Sequence, residues 1–203
     1  EIASVKLKSD AAYAEGLREH LDRAVRRQMR SLHPVGALLS GGLDSSSVVA
    51  LAACALAEKK QRLLAFTGVP RRGFDGPVPD GSYADETPFV EAIKDKLGNV
   101  DVHYVHNNDC DDFAALERFF IALNGPVRNP SNFGWTLGVL EHAGRQNCRV
   151  LLGGLHGNYT ISWDGWSQAV SHLLRGRFLL AHRQWRHYYR STPFSRSVAF
   201  KKL

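Results

Sequence analysis

Seven consecutive residues, Ser40-Gly41-Gly42-Leu43-Asp44-Ser45-Ser46, bring together two adjacent glycines, three hydroxyls and one carboxylate. Adjacent glycines let backbone N–H groups approach an anion closely, and small hydroxyls donate hydrogen bonds. A helix that starts beside such a turn aims its positive end into it. The chemistry these residues suit is a phosphate cradle, with the N–H groups of residues 41 to 46 facing the anion. Asp44 makes sense there if it holds a Mg2+ that bridges phosphate oxygens. The spacing is neither that of the GxxxxGKS/T loop nor that of GxGxxG. The same residues also allow a plainer reading, a tight strand-to-helix turn with a capping serine.

A second glycine turn, Gly153-Gly154-Leu155-His156-Gly157-Asn158, is the other chemically suggestive stretch. Arg71 and Arg72 lie beside a glycine-rich loop and could reach a phosphate or carboxylate with two hydrogen bonds each, or stay solvated. Asp85-Glu86 opens a helix, where acids favour the dipole without binding any ligand, so capping is the expectation. Nine histidines show no zinc-ligand spacing, and Cys54, Cys110 and Cys148 form no CxxC pair. Neither a zinc site nor a disulfide scaffold is expected, and a reducing cytoplasm fits.

These residues need a frame. Asp10 to Ser31 reads as an amphipathic helix with Asp10 as its cap, because Tyr13, Leu17, Leu21, Val25 and Met29 recur at every fourth position. Val35 to Leu39 is a short apolar run ending in the first glycine turn, and Ser46 to Glu58 follows as a helix. Leu63 to Thr67 is a second strand, Asp85 to Leu97 a helix with Phe89, Ile93 and Leu97 on one face, and Val100 to Val105 a third strand. Helices over Asp111 to Leu123 and Trp135 to Arg145 precede a fourth strand, Arg149 to Leu152. Strand–helix alternation implies a parallel sheet flanked by helices, with ligands beyond the carboxyl ends of the strands. Both glycine turns fall on that edge, and the loop Gly68 to Gly81 leaves from it as well.

Composition sets the bounds. The chain has 203 residues, 44% hydrophobic and 23% charged, a globular balance. Its longest apolar run, Val48 to Ala57, is half of the ~20 residues a membrane span needs, so neither a membrane span nor a membrane partner is expected. The charge is divided unevenly: residues 1 to 164 carry 18 Lys and Arg against all 20 acids, whereas residues 165 to 203 carry eight basic residues and no acid. The chain opens on Glu1 and is expected to be a piece of something longer. The expected divisions are an N-terminal helix in 1–33, an α/β domain in 34–164 and a basic, mainly helical segment in 165–203.

Leu39 to Ser46 resembles the pyrophosphate-binding loop of the N-type ATP pyrophosphatases, specifically that of the asparagine synthetase family. Phe66-Thr67-Gly68, Tyr83-Ala84-Asp85-Glu86 with its helix, and Val150 to Asn158 agree with that family too. The resemblance implies an adenine nucleotide alpha hydrolase-like α/β fold that uses ATP and Mg2+. It implies adenylation of a carboxylate on a small molecule or peptide, release of pyrophosphate, and attack by an amine to give an amide. A glutaminase domain or subunit would be a possible partner. Position by position, Ser40, Gly41, Gly42, Ser45 and Ser46 would contact pyrophosphate, while Leu39, Thr67, Gly68 and Val69 would line the adenine. Asp44 would serve catalysis and bind metal. Where the family reads Gly-Glu-Gly-x-Asp-Glu, this chain has Gly154-Leu155-His156-Gly157-Asn158-Tyr159. Gly154 keeps its place near the nucleotide, Asn158 stands at the metal and catalytic position with only a neutral oxygen, and Leu155 cannot move a proton. Asp164 or His156 could substitute. The ending Gly157 to Gly165 resembles the asparagine synthase-related and lasso-peptide cyclase branch, and the family's catalytic lysine would lie past Leu203.

Beyond the second turn, Trp163, Trp166, Phe178, Trp185, Tyr188, Tyr189 and Phe194 interleave with arginines. That mixture suits either nucleic acid or, as the favoured expectation, an amphipathic helix with Leu173, Leu174, Phe178 and Leu179 turned towards a missing part of the protein. Three functions follow: an amide-forming enzyme domain, a degenerate ATP-binding module without turnover, and an RNA-modifying ATP pyrophosphatase.

Overall fold

A computed structural model describes residues 5–78, 83–106, 112–126, 133–163, 165 and 167–191. The chain folds as two compact units, 1–154 and 155–203. Among the described residues no helix is long and apolar enough to cross a membrane.

The first unit is built on four parallel strands, β1 (Val35–Leu38), β2 (Leu63–Val69), β3 (Val100–His106) and β4 (Val150–Leu152), in the order β3-β2-β1-β4. Its helices are α1 (Asp10–Gln28), α2 (Leu43–Ala57), α3 (Thr87–Leu97), α4 (Asp112–Leu123) and α5 (Phe133–Arg145). Every second strand residue faces α1, α2 and α3: Val35, Ala37, Leu63, Ala65, Val100 and Leu152 pack with Val25, Val49, Ala52 and Val90. The residues between them, Leu38, Leu64, Phe66, Val105 and Leu151, face Val139, Ala143 and Trp135 of α5. This period of two, with apolar residues in both phases, belongs to a parallel sheet covered on both sides. Each buried Leu, Val or Phe contributes on the order of 1.5–3 kcal/mol, and Phe66 and Leu63 are shielded almost completely.

Several boundaries differ from the sequence expectation, for local physical reasons. Ser9, not Asp10, caps α1: its backbone is extended and its hydroxyl accepts from the Ala12 N–H at 3.2 Å, which leaves Asp10 as a first-turn acid. At α3, Asp85 Oδ1 accepts from the Thr87 N–H at 2.9 Å, and the Thr87 side chain first and this N–H second hold the Asp85 carboxyl below its ordinary pKa. β2 runs on to Val69 because β3 keeps pairing with it, Gly68 with Val105 and Val69 with His106. α1 ends at Gln28, three residues before the expected Ser31, and α2 starts at Leu43, three before Ser46, so that this helix begins inside the glycine-rich motif.

In the second unit a single 3-10 turn, Gly157–Tyr159, precedes a hairpin of α6 (Gln168–Leu174) and α7 (Phe178–Ser191). Ala169, Ala181 and Tyr188 are buried there. Leu173, Leu174, Phe178 and Leu179 do not share one helical face, because the chain breaks at Arg175-Gly176-Arg177, with Gly176 at φ 68°. They cluster at the turn.

Candidate functional site

Strand order places the first glycine turn beside Gly153-Gly154. The chain steps outward from β1 to β2 to β3, and β4 then returns to the other flank of β1. This is the reversal point at which open parallel sheets bind ligands, beyond the strands' carboxyl ends. Gly154, just after β4, lies directly against α2: a methyl group there would come within 2.7 Å of the Ser45 nitrogen and 2.8 Å of the Asp44 carbonyl carbon. Only glycine lets the two backbones meet without displacement.

The loop between β1 and α2 is pinned from within. The Leu39 N–H donates to Phe66 O at 3.0 Å, and the Leu39 carbonyl accepts from the buried Thr67 hydroxyl at 2.9 Å. Ser45 Oγ accepts from the Ser40 N–H at 3.1 Å, pairs with Ser40 Oγ at 2.8 Å, and lies within reach of the Ser40 and Gly42 carbonyls. Ser46 Oγ donates to Gly42 O at 2.7 Å and Ser47 Oγ to Leu43 O at 2.7 Å. Serine hydroxyls inside a helix commonly bond back to a carbonyl one turn earlier. In this structure the hydroxyls of Ser45 and Ser46 hold the loop's shape, where the sequence had them donating outward.

The accounting of N–H groups narrows the cradle. Ser46 N–H closes the first helical turn on Gly42 O at 3.2 Å, and Gly42 N–H leans on Ser40 Oγ at 3.3 Å. Gly42 is the N-cap, with extended φ and ψ and no side chain to cap the helix. Among the described residues, the N–H groups of Gly41, Leu43, Asp44 and Ser45 therefore meet no acceptor. Four unspent donors at the positive end of a 15-residue helix are an arrangement that suits an anion.

Asp44 sits in that first turn, and its Oδ1 is buried without a hydrogen-bond partner. A buried carboxylate oxygen left unpaired is costly, and a divalent cation would satisfy it. The residues present fit Mg2+ in one manner. No group of three or more His, Cys, Asp and Glu assembles among the described residues, so the cation would take Asp44 together with phosphate oxygens and water, as Mg2+ commonly does.

On the far side of β1, β2 extends past its neighbour. Leu63 N–H bonds towards β3 at Asn99 O and Phe66 O towards β1 at Leu39 N, so successive β2 residues alternate in direction. Gly68 thus turns both its N–H and its C=O into the space beyond the end of β1, where no partner lies among the described residues. The Trp135 ring walls this position, 3.0 Å from where a Gly68 methyl would be. A donor and an acceptor side by side match the edge of a purine.

Sequence reasoning missed Trp135 and also Phe89, which looked like an ordinary helix-face residue. Phe89 packs on Gly41, where an added methyl would lie 2.8–3.0 Å from it, and its ring meets Tyr83 edge-on at 4.8 Å. No local spacing encodes either contact. Val69, one residue on, is buried and paired with β3.

Leu39 to Ser46, Thr67 to Val69 and Gly154 all lie in the first unit. Asn158 belongs to the second, where its carbonyl oxygen accepts from Ser162 Oγ at 3.0 Å. His156 is exposed in the left-handed region, at φ 66°, and Leu155 is exposed too. Arg71 and Arg72 are exposed where β2 leads into the loop. Asp164, Trp166 and Cys110 lie outside the described residues.

Comparison with known proteins adds to this geometry. The family model described as asparagine synthase matches residues 16–158. The amidase chry2 of Gibberella zeae is 33% identical over 115 residues, covering 56% of this chain and 16% of its own length. A Mycobacterium bovis protein bearing the name of a glutamine-hydrolyzing asparagine synthetase is 31% identical over 160 residues, 75% of this chain and 22% of that protein. A Methanocaldococcus jannaschii protein of similar name is 30% identical over 148 residues, 70% of this chain and 26% of its own. The chain thus spans about a quarter or less of the length of these relatives.

Proposed function

The chain belongs to the asparagine synthase family, and from that premise we propose that it binds ATP at the β1–α2 loop and adenylates a carboxylate for amide formation. In this reading the N–H groups of Gly41, Leu43, Asp44 and Ser45 hold the β- and γ-phosphate oxygens. Gly68 reads the adenine edge with its paired donor and acceptor, beside Thr67 and Val69. A Mg2+ on Asp44 would supply positive charge for the leaving pyrophosphate.

A substrate carboxylate oxygen attacks the α-phosphorus, the bond from that phosphorus to the β-bridging oxygen breaks, and pyrophosphate leaves with the electron pair. An amine then attacks the acyl carbon, AMP departs, and the amine loses a proton to solvent. Charge develops on the leaving group just where preoriented donors already point, so stabilising it requires little reorganisation. The substrate is a small molecule or peptide bearing a carboxylate, the amine could come from a glutaminase domain or subunit, and the setting is cytoplasmic.

The observation that carries this reading is the coincidence of four unspent N–H groups with one buried, unpartnered carboxylate oxygen. The test is carboxylate-dependent exchange of labelled pyrophosphate into ATP, with Asp44→Ala removing it. Absence of ATP binding by calorimetry, together with absence of exchange, would overturn the proposal. A second reading, ATP binding without turnover, draws support from Leu155 and Asn158, which bring no charge where the family pattern has acids. Calorimetric ATP binding without exchange for any amino or peptide acid would favour it.

A further inference from the structure

The α6–α7 hairpin is inside out at one end. Small residues, Ala169 and Ala181, are buried in it, while Leu174 is 83% and Leu179 88% exposed, with Leu173, Phe178 and Leu180 exposed beside them. These five residues flank a three-residue turn, Arg175-Gly176-Arg177, so they crowd the tip and do not form a stripe along a face. Their combined apolar surface is on the order of several hundred Å2, a size that marks a contact surface. Arg175, Arg177 and Arg183 are exposed around it, and residues 165 to 203 contain no acid.

The turn is closed by backbone bonds, while the first N–H groups of α7, on Phe178, Leu179 and Leu180, meet no acceptor among the described residues. Gly176 N–H donates to Leu173 O at 3.0 Å, Arg177 N–H to His172 O at 2.9 Å, and Ala181 N–H to Arg177 O at 3.0 Å. Free N–H groups cannot enter hydrocarbon, so only the side chains of this tip could do so.

We propose that the tip of the α6–α7 hairpin docks on an anionic lipid surface, with Leu174, Phe178 and Leu179 in the acyl boundary and Arg175 and Arg177 at the lipid phosphates. Among the described residues no helix is long and apolar enough to span; attachment at the surface has different requirements, an apolar insertion of roughly 5–10 Å and a cationic rim. Charge complementarity selects this occupant, because the rim offers arginines alone and so matches a surface of one sign. The inference is independent of the ATP site.

The test uses the full chain with vesicles of phosphatidylcholine, with and without phosphatidylglycerol, in a sedimentation assay at two salt concentrations. Binding is expected only with the anionic lipid and weaker at high salt. Arg175→Glu with Arg177→Glu should weaken it at least fivefold per site, and Leu174→Ser with Leu179→Ser on the order of a hundredfold. Both leucines are exposed, and calorimetric ATP binding with an unchanged helical circular dichroism signal would show that each variant is folded. No binding to anionic vesicles overturns the proposal. So does binding that is indifferent to the leucine substitutions, self-association abolished by them without vesicle binding, or association with tRNA in place of vesicles.

Discussion

Replacing Gly154 by alanine tests the meeting of the two glycine turns. The added methyl would stand 2.7 Å from the Ser45 nitrogen, 2.8 Å from the Asp44 carbonyl carbon and 3.0 Å from Asp44 Cβ, where ordinary contact begins at 3.4 Å. Two of those atoms are backbone, so no rotamer change relieves the overlap, and the turns must part by ~0.7 Å. Overpacking of this kind costs about 1–3 kcal/mol, which for a unit of this size lowers Tm by roughly 2–4 °C per kcal/mol. The same movement displaces the N–H groups of Asp44 and Ser45. A hydrogen bond to a charged group is worth about 1.5–3 kcal/mol, so losing one raises the ATP Kd by roughly ten- to a hundredfold. Gly153→Ala is the matched control: its methyl meets only Leu38 Cδ1 at 3.5 Å, and the change should stay within about 0.5 kcal/mol. Calorimetry with ATP and thermal melting of both variants decide the matter. Equal ATP affinity for the two alanine variants would show that the β4 turn does not set the position of the cradle.

Ser45→Ala should lower stability by about 1–2 kcal/mol and weaken ATP binding with it, because the hydroxyl that accepts from Ser40 N–H is lost; urea unfolding with parallel calorimetry checks this, and unchanged stability would contradict the pinning role. Thr67→Val keeps shape but leaves the Leu39 carbonyl without its buried donor, at about 1–3 kcal/mol, again read by urea unfolding; a neutral result would mean that water replaces the hydroxyl. The pKa of His142 is held below its ordinary 6.5 by burial first, and then by the neighbouring His103 and Arg145. Below pH 6.5 the unfolded chain therefore binds more protons at this position, so its share of stability is present above that pH and is lost as pH falls. The urea midpoint should drop from pH 7.5 to pH 5, and by less in His142→Gln; an identical drop in both proteins would remove His142 from the explanation.

The frame was largely legible because buried parallel strands are short apolar runs punctuated by glycine, and all four appear within two residues of their observed ends. The start of α2 was not, since Leu43-Asp44-Ser45-Ser46-Ser47 looks weak by helix propensity. What overrides propensity is burial further along the same helix, where Val48, Val49, Ala52 and Ala53 pack into the core, so that the first turn is carried along by the rest. Phe89 and Trp135 were illegible for a different reason. Their significance lies in glycines 48 and 67 residues away in the chain, and periodicity carries no information about such partners. The hairpin misled in the opposite direction: Leu173, Leu174, Phe178 and Leu179 fit a helical spacing, but Gly176 at φ 68° breaks the helix that would have aligned them.

A cradle made of backbone donors asks little of a sequence beyond glycine and a helix start, which is why Ser40 to Ser46 announces itself. A metal site made of side-chain charge asks for several acids, and here Asp44 brings the only carboxylate in the described loop. On the proposed reading this couples the two ligands. One ionised oxygen is too little to draw Mg2+ out of water by itself, whereas Asp44 and a triphosphate together supply the charge count that tunes affinity. Each ligand should then raise the affinity for the other by the same factor, as linkage requires. The unpartnered Asp44 oxygen is, on that reading, half of a metal site that the nucleotide completes.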